Sequence, residues 1–130
     1  MKYALLLWVA LGMSIGNGAF AQNKSAKTTE VAGFEKGLNA NKAIQLVDVR
    51  TAGEYAEGHL PNARNIDINS ADFNQKVAKL DKSKPVYVYC AVGGRSAKAM
   101  SQLQKMGFVE IVNLDGGIKA WSREGKKVVR

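Results

Sequence analysis

The stretch Val86-Tyr87-Val88-Tyr89-Cys90-Ala91-Val92-Gly93-Gly94-Arg95-Ser96 decides how the rest of the chain is read. A run of β-branched and aromatic residues ends on the single cysteine of the sequence. Four residues, two of them glycine, separate that cysteine from an arginine, and a helix-forming segment follows from Ser96. The pattern predicts a strand, a tight loop and a helix, with a thiol at the loop entrance. Such a loop can aim backbone N–H groups at the sulfur, and the helix N-terminus adds partial positive charge. Both favour thiolate over thiol, so the cysteine can be activated without a neighbouring base.

Working outward, similar short apolar runs recur on either side, at Ala43–Val49, Asn65–Ile68 and Val109–Leu114. Helical spacing separates them. Val31, Phe34 and Leu38 form one stripe, in a helix capped by Thr28 or Thr29 and running to about Asn39, with Gly33 and Gly37 weakening it. Thr51-Ala52-Gly53-Glu54 has the form of a capping box opening a short helix to Glu57. Phe73, Val77 and Leu80 mark a helix capped by Asn69 or Ser70. Ala99, Met100, Leu103 and Met106 mark the helix after the cysteine loop, with Gly107 past its end. A last short helix carries Ala120 and Trp121, and residues 122–130 form a basic tail with no clear pattern. Helices alternating with strands predict an α/β fold: a small, mostly parallel sheet with helices on both faces. Ligands in such sheets sit at the carboxyl ends of the strands, where Cys90 lies.

The N-terminus has a different character. A basic start, an apolar run from Tyr3 to Ile15 and the sequence Ala19-Phe20-Ala21 predict a secretory signal peptide over residues 1–21, cleaved between Ala21 and Gln22. The apolar run is shorter than the roughly 20 residues of a membrane span, so no stable membrane anchor is expected after cleavage. A periplasmic or secreted protein of 109 residues results, with residues 22–28 as a flexible linker and residues 29–130 as one domain. Nothing in the sequence asks for an oligomer, and a monomer is expected. The formal net charge of +8 favours anionic ligands. The lysines are scattered and lack interleaved aromatic residues, so no nucleic acid partner is expected.

A single cysteine excludes an intramolecular disulfide, and one cysteine with one histidine makes neither a zinc nor a copper site. No metal or other cofactor is expected. His59, between Gly58 and Leu60-Pro61, has nothing to mark it as a base and suits a structural role in its turn. Two chemistries use a thiolate in a backbone cradle: phosphoryl transfer, as in phosphatases and arsenate reductases, and sulfur transfer through a persulfide. A phosphate cradle must host three equatorial oxygens and takes a longer loop. The four residues here suit one sulfur atom.

Four blocks together resemble a single-domain rhodanese: Gln45-Leu46-Val47-Asp48-Val49-Arg50, Glu54 through His59 to Ala63, Tyr89 to Ser96, and Leu114-Asp115-Gly116-Gly117-Ile118-Lys119-Ala120-Trp121. The resemblance covers nearly all of the chain after the signal segment. It implies a rhodanese-like fold, with Cys90 as the nucleophile that takes a sulfane sulfur, typically from thiosulfate, and holds it as a persulfide. The N–H groups of Ala91, Val92, Gly93, Gly94, Arg95 and Ser96 would cradle that sulfur. A thiol, cyanide or a protein acceptor would remove it. The resemblance gives Arg95 one of two duties, steering the anion or locking the loop onto a carboxylate such as Asp48. It pairs Arg50 with Glu54, in competition with the capping box, and puts Trp121 near the loop or in the core. Basic residues often follow the cysteine in efficient thiosulfate users; Ala91 and Val92 stand there instead. That departure leaves room for an organic persulfide or protein donor, and for a carrier or protein-binding module that does not turn over.

Overall fold

A computed structural model describes residues 24–130. The expected signal segment and its cleavage site lie outside the described residues. Five parallel strands form one sheet in the order β1-β5-β4-β2-β3. They are β1 (Ser25–Thr29), β2 (Gln45–Asp48), β3 (Arg64–Asn65), β4 (Val86–Tyr89) and β5 (Glu110–Leu114), alternating with α1 (Val31–Ala40), α2 (Ala52–Glu57), α3 (Phe73–Val77), α4 (Gly94–Lys105) and α5 (Gly117–Arg123).

Alternation along the strands splits the core into two layers. Val86 and Val88 of β4 point with Val47 and Ile111 toward α3 and α4, where Phe73, Val77, Ala99 and Leu103 meet them. Tyr87 and Tyr89 point the other way with Leu46, Val112 and Leu114, and are covered by Val31 and Phe34 of α1 and by Ile118 and Trp121 of α5. The central strand is therefore apolar on both faces, as the sequence predicts. Cys90 continues the alternation on the α4 side and is buried.

Several expectations are corrected. Residues 25–28 are not linker: Ser25 to Thr29 pair with Glu110 to Leu114 along the sheet edge. Thr28 and Thr29 therefore stay extended and cap nothing. Glu30 occupies the N-cap of α1 without a side-chain hydrogen bond. Gly37 is explained by close approach rather than by helix weakness, because a Cβ there would strike the Tyr87 hydroxyl. Strand β3 is only two residues long, although Ile66 and Ile68 still donate to the carbonyls of Asp48 and Val49 at 2.9 and 3.1 Å. Helix α3 starts at Phe73 after Asp72, with no cap from Asn69 or Ser70; the Ser70 hydroxyl instead bonds the Asp72 carboxylate. The basic tail is tied down by a backbone pair between His59 and Val129, the Trp121 indole N–H donating to Lys127 O at 2.8 Å, and Lys126 on Glu35 at 3.0 Å.

Candidate active site

Three chain segments meet at the carboxyl end of β4. The first is the 90–96 loop itself. Gly93 adopts φ +115°, a conformation that L side chains rarely adopt, and forms the N-cap of α4. This left-handed turn folds the loop back so that Gly93 N–H donates to Cys90 Sγ at 3.0 Å. The Ser96 hydroxyl, fully buried in the first turn of α4, lies 3.3 Å from the same sulfur and 3.2 Å from Gly93 O.

The second segment is the start of α5. Gly117, at φ +58°, packs so tightly that a Cβ would collide with the carbonyls of Cys90 and Ala91. Those carbonyls accept from Ile118 N–H at 2.9 Å and from Lys119 N–H at 3.1 Å. With its carbonyl oxygens held by α5, the loop keeps its N–H side for the sulfur. Burial pushes the Cys90 thiol up, but hydrogen bonds from the Ser96 hydroxyl and from the backbone of Ser96, Gly93 and Val92 together outweigh it. The net result is a thiol below its ordinary range. Of the expected cradle, Gly93, Ser96 and Val92 act on the sulfur. No hydrogen bond from the Ala91, Gly94 or Arg95 amides to Sγ is found among the described residues.

The third segment is α2. Its Glu54 completes the capping box with Thr51 and also grips Arg95, with N–O distances of 2.7 and 2.9 Å. The carboxyl is held down to about 2, first by the Arg95 hydrogen bond and further by Thr51, against a smaller opposing effect of burial. Arg95 thus locks the loop, but onto Glu54 rather than Asp48. Arg50 does not pair with Glu54 as the resemblance implied. It forms a two-pronged pair with Asp48, with Nη2 at 2.7 Å, and donates to Gly58 O at 2.6 Å. Asp48 and Arg50 are both buried, so each answers the other's charge. The Tyr89 hydroxyl, accepting from Leu60 N–H at 3.0 Å, is pushed upward by burial and by Asp48. This buried network fastens the 58–60 turn to the sheet beneath the site.

His59 stacks on Tyr55, with ring centroids 3.7 Å apart, and its Nδ1 lies 2.9 Å from Tyr55 O. It belongs to its turn, as expected, and is not brought to Cys90. Trp121 fills the core edge-on to Phe34 at 6.4 Å and anchors the tail. Sequence reasoning missed the Ser96 hydroxyl as a sulfur donor and the carbonyl clamp of Gly117 to Lys119. The paired glycines Gly116-Gly117 were the available signal for the clamp.

Comparison with known proteins agrees with this geometry. The family described as Rhodanese-like domain matches residues 30–124. A sulfurtransferase of Allochromatium vinosum is 35% identical over 86 residues, covering 66% of this chain and 78% of its own. The uncharacterized protein YqhL of Bacillus subtilis is 38% identical over 100 residues, 77% of this chain and 75% of its own. The crystal structure of a rhodanese-related protein from Thermoplasma volcanium superposes with a TM-score of 0.70 at 34% identity, covering 79% of this chain and 97% of that one. A cysteine loop closed by α4, clamped by α5 and latched to α2, together with these matches, makes the chain a member of the rhodanese-like domain family.

Proposed function

We propose that the protein is an exported sulfurtransferase that moves a sulfane sulfur from a small donor, such as thiosulfate or a persulfide, to a thiophilic acceptor through a persulfide on Cys90. The observation that carries the reading is the Cys90 sulfur itself, buried, lowered in pKa, and held by Gly93 N–H and the Ser96 hydroxyl. Thiolate attack on the outer sulfur of the donor breaks the donor's S–S bond and leaves the new sulfur on Cys90. Cradle N–H groups offset the negative charge that sulfur carries. A thiol, cyanide or a protein acceptor then takes it in a second half-reaction, so turnover is ping-pong. The residue 1–21 pattern supports a periplasmic or secreted location.

Intact-mass measurement tests the chemistry. The purified protein gains one sulfur atom on treatment with thiosulfate or an alkyl persulfide, and Cys90→Ser gains none. An unchanged wild-type mass with every sulfane donor overturns the proposal. The uncharged pair Ala91-Val92 favours a second reading, a carrier that loads once and hands its sulfur only to a dedicated partner. Continuous thiocyanate production with cyanide separates the two, since a carrier loads and then stalls. Fractionation of cells expressing the full chain, with N-terminal sequencing of the product, tests export and cleavage.

A further inference from the structure

The apolar stripe of α1 is not fully covered by the core. Val31 and Phe34 are buried, but Leu38, one turn further on, is only partly buried, and so is Ile44 just before β2. Both line a cavity of about 320 Å³, together with Leu46, Leu60, Pro61 and Trp121. Its volume lies at the small end of the roughly 300–1,000 Å³ typical of small-molecule sites. The cavity belongs to the α1 and α5 side of the sheet, whereas Cys90 sits on the α4 side, and no residue of the 90–96 loop lines it.

The tail helps to build this cavity. The Trp121 indole N–H holds the Lys127 carbonyl at 2.8 Å, and Lys126 crosses to Glu35 of α1 at 3.0 Å, so the backbone of Lys127 is fixed at the cavity wall. The charges there are one-sided. Glu35, the acidic residue of the lining, is already committed to Lys126. Lys42 and Lys127 also line the cavity, and neither has an ion-pair partner among the described residues. Apolar walls with two uncommitted cations match an amphipathic anion. An inorganic anion leaves the leucine, isoleucine and tryptophan surface unmatched, and a zwitterion finds no free carboxylate for its ammonium group.

We propose that this cavity binds a small hydrophobic carboxylate, an aromatic or short-chain aliphatic acid with no ammonium group. Its apolar body lies among Leu38, Ile44, Leu60 and Trp121, and Lys42 and Lys127 receive its carboxylate. Removing apolar surface of both cavity and ligand from water drives the binding. The two exposed lysines add a smaller electrostatic preference for the anion over a neutral analogue. Binding is non-covalent and uses no group of the cysteine loop, so it stands whether or not Cys90 transfers sulfur.

The test is an amide NMR titration of the purified protein with four probes: phenylacetate, its neutral amide phenylacetamide, the zwitterion phenylalanine, and acetate, which has the charge without the ring. Phenylacetate should bind tightest and shift the amides of Leu38, Ile44 and Leu60 and the Trp121 indole N–H. Lys42→Gln and Lys127→Gln should each weaken phenylacetate by roughly twofold to fivefold, the scale of an exposed ion pair, and leave phenylacetamide unchanged. Added salt should erode the preference for the anion. Lys105→Gln, an exposed control on α4 with the same loss of charge, should bind like the wild type, and so should Cys90→Ser. The same spectra report whether each variant is folded. Three results overturn the inference: no shift at the cavity amides with millimolar phenylacetate, equal affinity for phenylacetate and phenylacetamide, or shifts confined to residues 90–96. None of them bears on sulfur transfer at Cys90, which the mass measurement decides separately.

Discussion

Arg95 and Glu54, 41 residues apart, meet through two N–H···O contacts of 2.7 and 2.9 Å, and the pair ties the 90–96 loop to α2. Neither side chain is deeply buried, at 31% and 33% exposed, so solvent discounts its strength. The Glu54 carboxyl is depressed from its reference value of 4.5 to about 2. A depressed acid stabilises the fold above its unfolded pKa and loses that contribution as pH falls through its folded pKa. Glu54→Gln should therefore lower unfolding free energy at neutral pH by about 1 kcal/mol after the discount. The difference from wild type should shrink between about pH 4.5 and pH 2. Urea melts of both proteins across that range provide the check, and a constant difference would refute the linkage.

The buried pair below it behaves differently. Asp48 is wholly buried and Arg50 nearly so, and removing one partner leaves an uncompensated charge. Asp48→Ala should cost about 3 to 5 kcal/mol. Equilibrium denaturation should place it well below Glu54→Gln in stability, and near-equal midpoints would mean that solvent reaches Arg50.

Ser96→Ala removes the hydroxyl that stands first among the influences lowering the Cys90 thiol. Its pH profile for alkylation by iodoacetamide should shift to higher pH than that of the wild type, while the far-UV circular dichroism stays the same. An unshifted profile would assign the lowering to the backbone alone.

Gly117→Ala places a methyl against the carbonyls of Cys90 and Ala91 at a left-handed backbone position. It should cost at least about 2 kcal/mol and slow persulfide formation, because relieving the clash moves the loop. Gly53→Ala, where nothing lies within 4 Å of the added carbon, serves as its control. Equal stability of the two variants would show that the clamp yields freely.

His59→Gln should load sulfur at the wild-type rate, since the ring stacks on Tyr55 and is not brought to Cys90. A large loss of loading with the fold intact would reinstate a histidine base.

The central strands were legible because their apolar residues are consecutive: Val86 to Tyr89 is buried at every position, and no other element among the described residues reads that way. Cys90, its loop and the following helix were legible for the same local reasons. Edge strand β1 was not, because Ser-Ala-Lys-Thr-Thr is polar and mostly exposed, and only its pairing with β5 makes it a strand. Likewise, the sequence marks Asp48, Arg50, Glu54 and Arg95 as charges needing partners. Which pairs with which depends on how α2 and α4 approach across the sheet end, and no local pattern encodes that distance. The tail was opaque because its anchors are a backbone bridge and an indole N–H, neither of which leaves a periodicity in sequence.

The edge pairing also bears on the order of events in folding. Thr28 of β1 faces Asn113 of β5 across a separation of 85 residues. A chain emerging N-terminus first must hold β1 unpaired until the last strand has appeared, and closing so long a loop weighs on the folding rate. The polarity that hid β1 in the sequence lets it wait in water: a segment of lysine, serine and threonine offers little to the sticky edge-to-edge contacts that an apolar strand would invite.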